Sequence, residues 1–390
     1  MPAGKLFRTL VAAGLGIGLA GAVMAQDVVK IGMILPMTGP FASTGRQIEA
    51  AAKLYMQLNG SMVAGKKIEL IVKDDAGTAD TTKRIAQELI VNDKVAFLAG
   101  FGLTPLALAT APLATEAKVP MVVMAAATSI ITDKSPYIVR TGFTLPQVTM
   151  PIADWAAKNK IRSVVTLVSD YGPGIDAEAQ FIKTFTGAGG KVVAELRVPL
   201  RNPDFAPFLQ RVADAKPDAV FVFVPSGVGA IFMKQFAERG LDKGGIKLIG
   251  TGDVTDDDIL NDMGDVALGV ITSFHYSAAH ESTANKAYVE AFRKANNNQR
   301  PNFHSLGGFD GMRLIYHALE VTKGNTDGEA LMAAMKGYKW ESPRGPVTLD
   351  AETRDMVQTV YIRKVEKQDG QLYNVEFLAY PGVKDPSKTK

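Results

Sequence analysis

Short apolar runs with strand character alternate with amphipathic helical stretches along almost the whole chain, and this alternation restricts the possible folds more than any other feature. After a strand opening at Val28, strands are expected at 67–73, 95–99, 120–124 and 137–141, with helices at 48–58, 81–92 and 105–117. The segment Gly142-Phe143-Thr144-Leu145-Pro146 then interrupts the pattern, and the same order restarts. Helices are expected at 148–159, 176–188, 205–215 and 229–239, and strands at 163–169, 191–199, 219–224 and 247–250. Repeated β-α units imply parallel sheets covered by helices on both faces. Two modules of similar size make the interrupting segment a candidate interdomain crossover. Beyond residue 266 the order loosens to a strand at 269–274 and helices at 285–295, 311–323 and 328–335. The tail reads as a β-hairpin, 359–366 and 372–379, around the turn-forming pair Asp369-Gly370.

The start of the chain reads as a removable leader. Lys5 and Arg8 precede an apolar stretch from Leu10 to Val23, and small residues at Val23 and Ala25 place cleavage before Gln26. At about 14 residues, the stretch is shorter than the ~20 that a spanning helix needs. The mature protein is therefore expected to be exported and soluble. Without the leader, 41 basic residues face 40 acidic ones, so neither nucleic acid nor an anionic membrane is expected as a partner. There is no cysteine, which excludes disulfides, thiolate metal sites and cysteine nucleophiles. An exported chain without disulfides needs a sizeable core of its own, which about 365 residues in two domains can supply.

Catalytic motifs are not found. His275, His280, His304 and His317 fit no metalloprotease helix spacing, and each is expected to be a surface or half-buried residue. Ser226 has Gly227 after it but Val224 two residues before it, which fails the nucleophile-elbow pattern. Gly100-Phe101-Gly102-Leu103-Thr104-Pro105 begins like a dinucleotide loop but has Pro105 in place of the third glycine, and no phosphate loop occurs. In the acidic run Asp253-Val254-Thr255-Asp256-Asp257-Asp258, a calcium loop would need glycine and glutamate where Asp258 and Gly264 stand. The run is expected to be a solvated loop leading into an acidic first helical turn, with only Asp253 facing a crevice. No enzyme, cofactor or metal is expected.

What remains is a set of strand-to-helix turns, which lie at the ligand-binding edge of open parallel sheets. In the first module these are Pro36 to Gln47, Thr104-Pro105 and Ala125-Ala126-Ala127-Thr128-Ser129. In the second they are Asp170-Tyr171-Gly172-Pro173-Gly174, Pro225-Ser226-Gly227 and Thr251-Gly252-Asp253. The first module offers hydroxyls and free N–H groups at helix starts, which suit a carboxylate. The second offers an aromatic ring and an acid, which suit a ring, an aliphatic body or an ammonium.

This ordered set resembles the leucine/isoleucine/valine-type periplasmic binding proteins, the solute receptors of ABC importers. The likeness rests on Ile31-Gly32 through Gly39-Pro40 to Gly45, the Ala126-Ala127-Thr128 turn, Tyr171-Gly172-Pro173-Gly174 and Gly240-Leu241. The resemblance implies a type I fold, an α/β architecture of two Rossmann-like lobes joined by a hinge of three crossovers. Lobe one would comprise 27–141 and 273–342, and lobe two 142–272 and 343–390. It implies a periplasmic receptor that closes over its ligand and delivers it to membrane permease subunits, with a monomer expected. The family's carboxylate-holding roles fall on Thr104, Ala126 and Thr128, and its second-lobe aromatic on Tyr171. Phe41, Thr44, Phe101, Gly102, Ser226 and Asp253 complete the expected ligand-binding set. Where amino-acid receptors of the family place a glutamate for the ammonium, this chain has Gly252, and it has Thr44 where they have a tyrosine. A branched-chain or related amino acid is the first expectation, with an aromatic or short-chain carboxylic acid, or service as a sensor for a signalling partner, as alternatives.

Overall fold

The computed structural model describes residues 27–389, so the leader expected at 1–25 lies outside the described residues. The first lobe contains β1 (Val28–Leu35), α1 (Ala42–Asn59), β2 (Met62–Val63), β3 (Lys66–Asp74), α2 (Ala79–Val91), β4 (Phe97–Gly100), α3 (Thr104–Ala117), β5 (Met121–Val123) and β6 (Ile138–Arg140). Its sheet runs β2-β3-β1-β4-β5-β6, parallel except at the β2 edge. β4 and β5 are buried at every position, as apolar strands with helices on both faces must be.

The chain then passes through α4 (Leu145–Lys158), β7 (Ser163–Ser169), α5 (Gly172–Gly187), β8 (Lys191–Val198), α6 (Ala206–Ala215), β9 (Ala219–Phe223), α7 (Ser226–Glu238), β10 (Lys247–Thr251), α8 (Leu260–Met263) and β11 (Ile271–Phe274). Next come α9 (Thr283–Ala295), α10 (Phe303–Val321), α11 (Gly328–Met335), β12 (Lys339–Ser342), β13 (Gly345–Leu349), β14 (Met356–Gln368) and β15 (Gln371–Val383). The second sheet runs β12-β13-β14-β11-β10-β9-β7-β8, with β15 on β14. Its β11-β10-β9-β7-β8 portion is parallel, and β14 joins it antiparallel. The β14–β15 hairpin turns at Asp369-Gly370, both with positive φ, as the Asp-Gly pair predicts. No helix among the described residues is long and apolar enough to cross a membrane.

Several helices begin three to eight residues earlier than their apolar periodicity suggests. α1, α4, α5, α7 and α10 start at Ala42, Leu145, Gly172, Ser226 and Phe303. Their first turns contain Gly45, Pro146, Gly172, Pro173, Gly174, Gly227 or Gly229, poor helix formers in an interior. Proline is tolerated in a first turn because its missing N–H would have no helical partner there. α10 also carries Gly307 and Gly308, which read as breakers. At Gly307 a Cβ would stand 2.1 Å from the Met124 carbonyl oxygen, so the glycine lets the helix lie against the turn after β5. Asn302 caps this helix, accepting from the Ser305 N–H at 3.0 Å while the Ser305 hydroxyl accepts from the Asn302 N–H.

The lobes are joined by chain segments after β6, after β11 and around β13–β14. Trp340, Val347, Leu349 and Met356 pack in the core of the first lobe, whereas Val360 and Ile362 pack with the second, so β14 runs from one lobe into the other. Arg344 lies at this junction, fully buried with Asp310 at 2.7 Å. It also donates to the Thr141 and Gly142 carbonyls and to Gln358 Oε1. Asp310 accepts in addition from Trp340 Nε1 and the Ser342 hydroxyl, each at 2.8 Å. The pair thereby joins α10, the first crossover and the third.

Removing one partner of such a pair leaves an uncompensated buried charge. Asp310→Ala is expected to destabilise the fold by roughly 3–5 kcal/mol, read as a lowered denaturation midpoint. Lys118→Ala, which breaks an exposed pair with Glu329, is expected to leave the midpoint nearly unchanged.

Candidate functional site

The strand ends of both sheets face one another across a cleft, and their turns meet there. A narrow cavity is lined by Phe41, Thr44, Gly102, Thr104 and Ala126 from the first lobe's turns. Tyr171, Pro173, Phe223, Ser226 and Asp253 line it from the second, with Phe143 and Leu145 from the first crossover and His304 from the start of α10. The lobes are in close contact: a Cβ at Gly227, in α7, would stand 2.4 Å from the Pro40 carbonyl oxygen in the turn before α1.

On the first-lobe side, Thr104 opens α3 and its Oγ1 is 2.9 Å from Thr128 Oγ1. The free N–H groups of a helix's first turn and the positive end of its dipole favour an anion at this position. Arg140, fully buried and paired with Asp355 at 2.8 Å, donates to the carbonyls of Ala126, Thr128 and Ser129. It takes up the acceptors of the small-residue turn from behind. A carboxylate in the cleft then meets hydroxyls and helix-start donors rather than those carbonyls.

The second-lobe side is of a different kind. Tyr171, half-buried at the start of α5, stacks on Phe223 with ring centroids 6.1 Å apart. Burial raises its phenol pKa well above the ordinary value, and the neighbouring Asp253 adds to the shift. Asp253 follows β10 and accepts from the Thr251 hydroxyl at 2.9 Å. Burial pushes its carboxyl up to about 7, against the opposing effects of that hydrogen bond and the Arg363 charge. His304 has a pKa lowered by burial to about 3, so it is neutral at physiological pH. Its Nε2 lies 3.3 Å from Thr44 Oγ1 and 3.5 Å from Ser226 Oγ. Aromatic faces, a carboxyl half-protonated near neutral pH and, from the start of α10, a neutral imidazole thus line this wall.

Of the residues expected from sequence, Phe41, Thr44, Gly102, Thr104, Ala126, Tyr171, Ser226 and Asp253 line the cavity. Thr128 stands just behind, bonded to Thr104. Phe101 does not line it: with φ of 67° its backbone turns the ring into the core with Leu98, Ala107 and Ile138. Phe143, Phe223 and His304 were not expected. The signal for His304 was the Asn302-x-x-Ser305 cap, which marks a helix start beside it. The expectation that every histidine is exposed or half-buried fails for His275 and His304, both buried. The acidic run is not solvated either. Asp253, Asp256 and Asp257 are buried and Asp258 is half-buried, because the run lies between the second sheet and the start of α10. Among the described residues, no group of three or more histidine or acidic side chains is placed to hold a metal ion.

At Gly252 a Cβ would stand 2.2 Å from Arg363 Nη2 and 2.5 Å from the Phe274 ring. The guanidinium, buried over Phe274, occupies the space into which a side chain at this position would point.

Comparison with known proteins places the chain among solute receptors. The periplasmic binding protein family matches residues 28–371. A Brucella melitensis protein named Leu/Ile/Val-binding protein homolog 6 is 44% identical over 373 residues, 94% of this chain and 95% of that one. A solute-binding protein of an ABC transporter from Rhodopseudomonas palustris BisB5, solved with 3,4-dihydroxybenzoic acid, is 64% identical, with a TM-score of 0.92 over 93% of this chain and 100% of that one. Another from R. palustris, solved with 4-hydroxybenzoate, is 43% identical, with a TM-score of 0.90 over 93% and 99%.

The environment of Asp253 has a direct readout. Its carboxyl carbon is expected to titrate with a midpoint of about 7 by ¹³C NMR. Thr251→Val is expected to raise the midpoint further, since it removes a donor that stabilises the charged form. A midpoint near the ordinary ~3.9 would show a solvated group.

Proposed function

This chain belongs to the periplasmic binding protein family, and on that premise we propose that the ligand captured between its lobes is a hydroxylated benzoate. It is a solute-binding receptor of an ABC importer, with the fold and family of substrate-binding components and not of enzymes. The family implies an exported, periplasmic protein. The basic and apolar leader supports removal after Ala25.

The observation that carries the ligand assignment is the packing at Gly252. Arg363 and Phe274 leave no room there for the acidic side chain that amino-acid receptors of the family direct at an ammonium. A ligand with a carboxylate and no ammonium fits what remains. Its carboxylate would lie at Thr104, Thr128 and the start of α3, and its ring among Phe143, Tyr171 and Phe223. Ring hydroxyls would meet Asp253, Ser226 and His304, neutral or hydrogen-bonded groups suited to phenols. The two R. palustris relatives solved with hydroxybenzoates support this reading. A branched-chain amino acid is the second reading, favoured by the name of the Brucella relative.

Capture proceeds by hinge closure. The lobes, expected as 27–141 with 273–342 and 142–272 with 343–390 but with Val347, Leu349 and Met356 packed in the first, move about the crossovers held by Arg344. Ligand docks on the first-lobe turns, and the second lobe closes over its ring. The closed state is favoured only by the ligand's extra affinity for it. The closed monomer presents both lobe surfaces to permease subunits, and the near-neutral charge gives no basis for nucleic-acid binding.

Calorimetric titration with 4-hydroxybenzoate, 3,4-dihydroxybenzoate and leucine tests the assignment. The hydroxybenzoates are expected to bind at least about 100-fold more tightly than leucine, a difference of about 2.7 kcal/mol. Thr128→Ala and Tyr171→Ala are each expected to weaken hydroxybenzoate binding by about tenfold or more, the loss expected for a buried ligand contact, with little change in melting temperature. Unchanged affinity in both variants would sink the site assignment, and preferential leucine binding the ligand class.

A further inference from the structure

The buried acidic run after β10 extends from the cavity wall to the contact between lobes. Asp253 lines the cavity, whereas Asp256 and Asp258 lie farther along, where the first lobe meets the second. Asp256 Oδ2 accepts from Asn302 Nδ2 at 3.0 Å, at the start of α10. Asp258 Oδ2 accepts from the Ser43 hydroxyl of α1. Each carboxyl thus has one oxygen held by a donor from outside its own segment. The other oxygens, Asp256 Oδ1 and Asp258 Oδ1, are buried and have no donor. Two such acceptors are costly to leave unpaired, and a single proton between them satisfies both.

We propose that Asp256 and Asp258 share one proton in the closed state, so that closure over ligand takes up a proton from solution. The inference rests on the hinge-closure reading above. With the lobes parted, Ser43 and Asn302 withdraw, water reaches both carboxyls, and each ionises as an ordinary aspartate. Burial pushes both carboxyls up in the closed form; the Asp258 charge raises Asp256 further, whereas a hydrogen bond from Asp256 opposes the rise at Asp258, so that Asp256 is the proton donor and Asp258 the acceptor. The surrounding charges do not replace the proton. Ser226 of α7 faces Asp256, as do Asp253 and Asp257 of its own segment. Asp257 also faces Asp258, and it is held by Asn374 Nδ2 and the Ala278 N–H. Of the nearby cations, Arg363 of β14 acts most on Asp257 and less on Asp256, and its donors are taken by Thr272 and Tyr276 O, while Arg300 acts on Asp257 and donates to the Asp257 and Leu372 carbonyls. His304, neutral, stands beyond Ser226.

Asp258→Asn distinguishes a shared proton from simple burial, because its amide can donate permanently to Asp256. Calorimetric titration of wild type and variant with 4-hydroxybenzoate at pH 7, in buffers of differing ionisation enthalpy, gives the protons taken up per ligand bound. Wild type is expected to take up about one more proton than the variant. Above the pair's midpoint its affinity should fall more steeply than the variant's, by up to about tenfold more per pH unit, the titration of Asp253 being common to both proteins. Equal uptake and equal pH dependence would overturn the proposal. Absence of binding heat would instead overturn the ligand assignment, and the same titration with leucine, the second reading, then decides the shared proton. A carboxyl whose pKa is raised on folding contributes stability below its unfolded pKa and loses it as pH rises through the folded value. With saturating ligand holding the lobes closed, the melting temperature of wild type relative to Asp258→Asn is therefore expected to decline from pH 5 to pH 9, and a constant difference would overturn the proposal.

Discussion

The two-lobed arrangement depends on the buried ion pair between Arg344 and Asp310. Neither side chain touches solvent, and the pair is satisfied only because every neighbouring group is positioned for it. The guanidinium reaches Asp310, Gln358 and the carbonyls of Thr141 and Gly142, while Asp310 takes Trp340 and Ser342 as well. Those carbonyls belong to a crossover that leaves one sheet before joining the next, so no strand neighbour serves them. A desolvated charge pair is poor evidence of net stability. Its effect here is geometric, since it fixes where the crossovers meet and hence where the lobes can pivot.

Arg140 and Asp355 perform a related task one turn away. By binding the carbonyls of Ala126, Thr128 and Ser129, Arg140 gives an irregular loop a defined shape. Thr128 and Thr104 are thereby held 2.9 Å apart at the mouth of α3. The hydroxyl-lined, donor-facing surface of the first lobe follows from this support. The opposite wall, built by the second lobe with the start of α10, contributes rings and polar groups, because burial suppresses charge on His304 and opposes it on Asp253. The cleft thus combines one wall suited to a carboxylate with another suited to an aromatic body.

Much of this was legible in the chain. The alternation of strand and helix patterns led to two parallel-sheet modules, and the Asp369-Gly370 pair to the terminal hairpin. The strand-to-helix turns contained most of the cavity-lining residues, since turns at strand ends are where side chains leave the sheet. Helix beginnings were less legible. Their first turns hold glycine and proline, which propensity reads as loop, yet a first turn tolerates both when its N–H groups face a cleft. Phe101 was misplaced because a positive φ reverses its ring, and a non-glycine residue in that conformation leaves no mark in the sequence.

The order of elements and the hydroxyl-bearing turns were determined by sequence alone, because hydrophobic period and turn chemistry are local. Tertiary structure decided what depends on residues far apart in the chain. His304 reaches the cavity only because Gly307 and Gly308 let α10 press against the first lobe. Asp256, Asp257 and Asp258, which read as a solvated acidic turn, are covered by residues 43, 302 and 374. Gly252 acquires its meaning from Arg363, more than a hundred residues later. Burial, and with it the charge state of each polar group, is set by those long-range neighbours and cannot be read from a group's own segment.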